Sequence, residues 1–70
     1  MDERKLKAAM AMSGISVTEL SFKCGMSAVS FYRKTKGLSE FTQKEIMAIR
    51  DVLKLSNESM CDIFFTKRVS

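Results

Sequence analysis

Apolar positions recur along this chain at spacings of three and four residues, with polar and charged positions between them. Leu6, Ala9, Met10 and Ser13 share one helical face, and Val17, Leu20, Ser21 and Cys24 form an i, i+3, i+4, i+7 set. Ile46, Ile49 and Leu53, with Val52 beside them, repeat the pattern, as do Met60, Ile63 and Phe64. These residues are the expected core. Strand-type alternation of Val, Ile, Thr and aromatic residues is missing, and there is no proline. Gly14, Gly25 and Gly37 punctuate the helical pattern as C-caps or tight turns.

The helix starts are legible. In a hydrophobic staple the residue before the N-cap packs against the one four after the cap. Five sites fit: Asp2 with Met1 and Leu6, Ser16 with Ile15 and Leu20, Ser27 with Met26 and Phe31, Thr42 with Phe41 and Ile46, and Ser56 with Leu55 and Met60. Two also carry the capping box, Ser16 with Glu19 and Thr42 with Glu45. The prediction is an all-α fold of five helices over about residues 3–13, 17–24, 28–36, 43–54 and 57–66.

Composition narrows the function. Seventy residues make one small domain, 1–70, with a net charge of +4 from twelve Lys and Arg against eight Asp and Glu. A basic balance in so small a domain points toward nucleic acid or another anionic surface. The absence of His excludes Ser-His-Asp and Cys-His catalysis and histidine-ligated zinc. Cys24 and Cys61 are too few for an all-cysteine zinc site, which needs four ligands. Both fall inside helical apolar patterns and are expected as buried free thiols of a reducing cytoplasm. No metal, cofactor or small-molecule ligand is expected, no run of apolar residues is long enough to span a membrane, and an enzyme is the least expected class. The six methionines are read as core gap-fillers.

Between the second and third predicted helices stand only Gly25, Met26 and Ser27. That turn is too short for an antiparallel helix hairpin and forces a steep crossing. A small residue is needed where the helices cross, which Ser21 supplies, and the turn wants a residue tolerant of positive φ, which Gly25 supplies. Leu20, Cys24, Met26 and Phe31 can clasp the pair. The stretch ISVTELSFKCGMSAVSFYRKTKG resembles the helix-turn-helix of the Cro and phage-repressor family, whose members commonly read T-x-x-E-L-A-x-x-L-G-V-S before a Ser/Thr/Arg-rich helix. The continuation SEFTQKEIMAIRDVLKLSNESMCDIFF is similar to that family's fourth and fifth helices, so the resemblance covers about residues 4–65. It implies a lambda-repressor-like DNA-binding domain with its helix-turn-helix at about 16–37, of the kind found as small single-domain regulators of temperate phages or integrated elements. Two departures are conservative: Ser21 stands where Ala is usual, and Cys24 where Leu or Ile is usual. A third is not, because Lys34 and Thr35 occupy the region of the third helix where an aliphatic residue is expected, and Thr35 is left to cover the gap with its methyl.

With Phe31 and Thr35 inward, Ala28, Val29, Tyr32, Arg33 and Lys36 face out, and residues 29, 32, 33 and 36 lie on one stripe. Arg33 is expected to grip guanine in a bidentate fork, and Ala28 and Val29 to meet a thymine methyl. Tyr32 suits a base edge or a phosphate; Ser27, Ser30 and Thr18 suit phosphates; Lys34 and Lys36 add charge beside the groove. Arg4, Lys5 and Lys7 read as a solvated face beside Glu3, and Lys67 and Arg68 as a basic tail.

The fifth helix, about 57–66, carries apolar residues on more than one face. Either both phenylalanines tuck into one core, or Cys61 and Phe65 form a two-fold dimer interface while Phe64 faces inward. The expected function is sequence-specific double-stranded DNA binding as a transcriptional regulator, a Cro-like or phage-type repressor acting on an operator, with a homodimer through the fifth helix. The alternative is a helix-turn-helix domain reused as a protein–protein interaction module, with Phe22, Tyr32 or Phe65 as contacts.

Overall fold

The computed structural model describes residues 1–65, and the basic tail at Lys67 and Arg68 lies outside them. The described residues form five α-helices and no strand: α1 (Glu3–Ser13), α2 (Val17–Lys23), α3 (Ala28–Thr35), α4 (Gln43–Leu53) and α5 (Asn57–Phe64). Each begins where a side-chain oxygen accepts an otherwise orphaned backbone N–H: Asp2, Ser16, Ser27, Thr42 and Ser56 are the five N-caps. The staple residues Met1, Ile15, Met26, Phe41 and Leu55 are all half-buried against the core. Four helices end one or two residues earlier than the sequence pattern suggested, and α5 stops at Phe64 with Phe65 as its C-cap.

Only one of the two expected capping boxes closes. Glu45 donates its N–H to Thr42 Oγ1 at 3.1 Å and returns its carboxylate to the Thr42 N–H at 2.8 Å. At Ser16 only the first half forms, the Glu19 N–H donating to Ser16 Oγ at 3.1 Å. Glu19 is exposed and its carboxylate stays in water, whereas a second partner holds Glu45 in place.

The core joins all five helices through Leu6, Met10, Leu20, Phe31, Ile49, Leu53 and Ile63. α1 packs on α4 and α5, and α2 packs on α3 and α4. Phe41, in the α3–α4 loop, ties the layers together: its ring meets Phe31 edge-on at 5.7 Å and Phe64 edge-on at 5.5 Å. The chain start is fastened to the last helix by the Asp2 N–H, which donates to the Ile63 carbonyl at 2.7 Å.

Five expected core positions stay outside, among them two of the six methionines read as gap-fillers, Met12 at 90% and Met47 at 39% exposure. Val17 and Ser13 are exposed, because each lies at the end of its helix, where the helix face runs past its neighbours. Cys61 is also exposed, not buried, since it lies around α5 from Ile63, the residue that α5 sinks into the core. Cys24 is half-buried, and burial, reinforced by the charge of Glu45, pushes its thiol above the ordinary range. It is therefore a poor nucleophile. Among the described residues no helix is long and apolar enough to cross a membrane.

Candidate nucleic-acid interface

The α2–α3 junction is built around Ser21, whose residual exposure is 1%. A small side chain lets the helices approach, and its hydroxyl is satisfied by donating to the Thr18 carbonyl at 3.0 Å. α2 then closes in a Schellman turn: the Gly25 N–H donates to the Phe22 carbonyl at 3.1 Å and the Met26 N–H to the Ser21 carbonyl at 2.9 Å. Gly25 takes φ 74°, a left-handed conformation that a Cβ would strain. Two residues later Ser27 caps α3 by accepting the Ser30 N–H at 3.1 Å.

α3 buries one side and presents the other. Phe31 is fully buried, and Thr35 is half-buried beside it, its hydroxyl donating to the Tyr32 carbonyl at 2.7 Å. Ala28, Val29, Ser30, Tyr32, Arg33 and Lys36 are all exposed, as are Ser27 and Thr18. Val29 at 65% and Tyr32 at 58% exposure leave apolar surface in water on this face. The Arg33 guanidinium makes no ion pair or hydrogen bond with any described residue. Lys36 Nζ sits 5.3 Å from the Tyr32 ring centroid, one helical turn back, within range of a cation–π attraction.

Two acidic residues from other helices reach the lysines of α3. Lys36 pairs with Glu3 of α1 at 3.1 Å. Its hydrogen bond holds the Glu3 carboxyl below the ordinary range and raises the Lys36 ammonium. Lys34 donates to both Glu45 oxygens at 2.6 and 2.7 Å, with its ammonium 6.0 Å from the Phe41 ring centroid. Burial pushes Glu45 upward, but the bonds from Lys34 and the Thr42 N–H outweigh it and leave the carboxyl below the ordinary value.

Lys34 therefore differs from its expected role beside the groove. Its side chain is mostly out of water near the Phe41 ring and its head is committed to Glu45, so it buries its methylenes while pairing its charge. The eight other residues expected at the interface, Thr18, Ser27, Ala28, Val29, Ser30, Tyr32, Arg33 and Lys36, stay accessible on α2, α3 and the turn between them. Glu3 and Glu45 were not foreseen as partners of these lysines. Glu45 was legible as a capping residue, but a contact made by two helices folding together has no signature in local spacing.

On α5, Phe64 is half-buried against Phe41, while Phe65 is 60% exposed and Cys61 is exposed. A surface hollow of about 410 Å³ beside them is lined by Phe41, Ile46, Phe64 and Phe65 among others. No three His, Cys, Asp or Glu side chains gather into a metal-holding group among the described residues. Compared with protein-family models, curated proteins and solved structures, the chain matches none.

Proposed function

We propose that α2, the Gly25–Ser27 turn and α3 form a helix-turn-helix, that the five helices make a lambda-repressor-like DNA-binding domain, and that the protein is a sequence-specific transcriptional regulator of Cro-like or phage-repressor type. One observation carries the reading: opposite the buried Phe31, α3 and its C-cap have an exposed face bearing Val29, Tyr32, Lys36 and an Arg33 whose guanidinium has no partner among the described residues. A planar donor fork left open in this way matches the O6 and N7 acceptors of guanine in the major groove. Ala28 and Val29 meet a thymine methyl, and Thr18, Ser27 and Ser30 flank the face with hydroxyls for phosphates. Ser27 Oγ already accepts a backbone N–H, so its contribution to DNA is as a donor.

Two copies reading half-sites one helical turn apart bind far better than one short helix, and the exposed Cys61 and Phe65 of α5 support a symmetric dimer. The alternative, a protein-interaction module, draws on Phe22, which is 82% exposed. Titration of duplexes selected from a random pool, repeated across salt concentrations, separates the two. A dimer neutralising about six phosphates gives a log K against log salt slope of about −5. A flat response, or no duplex bound, refutes the DNA reading.

A further inference from the structure

The three cations at the end of α3, Arg33 and Lys34 within it and Lys36 as its C-cap, differ in availability. Arg33 is open, and Lys34 is committed to Glu45 with both side chains mostly out of water. Lys36 lies between these extremes. Its ammonium is 3.1 Å from one oxygen of Glu3 and 3.3 Å from the other, a grip supplied by a residue 33 positions away in sequence. Both side chains keep solvent contact, so an outside anion can reach this ammonium, but only by displacing or sharing a carboxylate already in place. Two carboxylate oxygens on one ammonium present the same charge and acceptor geometry as the free oxygens of a backbone phosphate.

We propose that Glu3 is an intramolecular competitor of the DNA backbone for Lys36, holding that cation on α1 until a phosphate takes its place. The inference rests on the reading of α3 as a DNA-binding face. The exchange leaves no stranded charge, because Lys7 stands one turn along α1 with its ammonium 3.7 Å from the same Glu3 oxygen. When Lys36 turns to a phosphate, Glu3 keeps Lys7. Glu3 therefore lowers the affinity of the face for any duplex without touching the residues that read bases.

The test uses the full chain and two fluorescent duplexes, one selected from a random pool and one of random sequence. Glu3→Gln, Lys36→Gln, the double variant and Glu58→Gln are titrated, with circular dichroism establishing that each is folded. Glu58, exposed in the first turn of α5, makes the same change in net charge away from α3. Glu3→Gln is expected to tighten both duplexes about three- to fivefold, and Glu58→Gln less than about twofold. In the Lys36→Gln background Glu3→Gln gains no more than Glu58→Gln does, because the coupled term is gone. Glu3→Asp, which keeps the helix-terminal charge but withdraws it from Lys36, gives a smaller gain of the same sign. A Glu3→Gln variant that binds no tighter than wild type overturns the proposal, as does a gain that persists undiminished without Lys36. If folded wild type binds neither duplex, the DNA reading itself fails and this inference falls with it. That outcome is distinguishable because it is read from the wild type alone.

Discussion

Lys34 and Glu45 meet at 2.6 Å across the junction of α3 and α4, and Glu45 at the same time closes the capping box on Thr42. One carboxylate thus fastens the end of α3 and the start of α4. Pinned by the lysine, it gives up little further freedom in reaching back to the Thr42 N–H.

Removing that carboxylate is expected to destabilise the domain. Glu45→Gln leaves a mostly buried ammonium without its counter-charge and should cost about 1–2 kcal/mol, lowering Tm by roughly 5–15 °C in a chain of this size. Lys34→Met in the Glu45→Gln background should recover much of the loss, since it replaces the stranded charge by an apolar side chain of similar length. Because the folded Glu45 carboxyl lies below its ordinary 4.5, its stabilisation is present above that value and is lost as pH falls from about 4.5 through the folded pKa. Thermal unfolding from neutral to acid pH should show wild type converging on Glu45→Gln; parallel curves refute the assignment.

Arg33 and Lys36 should separate reading from positioning. Arg33→Ala is expected to cost about 1–3 kcal/mol and to relax preference at one base pair per half-site, whereas Lys36→Ala should weaken all sequences alike and shallow the salt slope by about one. Lys34→Met should leave binding within about twofold, because that ammonium faces Glu45 and not the stripe. Site selection repeated on each variant is the measurement. An Arg33→Ala protein that loses affinity equally for every duplex makes Arg33 a phosphate contact.

The helices were readable because their signals are local. A cap and its staple span six residues, and Ser27 with Met26 and Phe31 announces α3 without reference to anything distant. The exposed stripe of α3 followed from the same periodicity once Phe31 was turned inward. The partners of its lysines were not readable, since Glu3 is 33 positions from Lys36 and Glu45 is 11 from Lys34. Lys34 in particular looked like a groove cation, because sequence shows its charge and not the carboxylate waiting on α4. The sequence left Cys61 open between a buried thiol and an outward face for a related reason: a short helix with apolar residues on several faces does not say which face the core will take.

The end of α4 offers a stability prediction with no functional component. Lys54 occupies the left-handed region at φ 55°, the position that glycines fill after α1, α2 and α3. A Cβ there costs about 1–2 kcal/mol, offset in part by the greater freedom glycine gains when unfolded. Lys54→Gly should therefore stabilise the domain by about 0.5–1 kcal/mol, raising Tm by a few degrees with DNA affinity changed only by the lost charge. A lower Tm would mean that the lysine stem contributes more at the α4–α5 turn than its backbone costs.

Adjacent phenylalanines at the end of α5 should respond in opposite ways. Phe64 packs edge-on against Phe41 at 5.5 Å, so Phe64→Glu forces a carboxylate toward an apolar cluster and should unfold the domain or cost several kcal/mol. Phe65 is 60% exposed, and Phe65→Glu should leave circular dichroism and Tm close to wild type. If α5 forms a two-fold interface, the same substitution enters it twice, placing two negative charges face to face. Self-association and operator affinity should then fall together, because each half-site depends on the other copy. Sedimentation equilibrium of wild type and Phe65→Glu, alone and on a selected duplex carrying both half-sites, measures this directly. A wild type that stays one copy per duplex removes the dimer. A Phe65→Glu protein that dimerises as wild type does moves the interface to another face of the molecule.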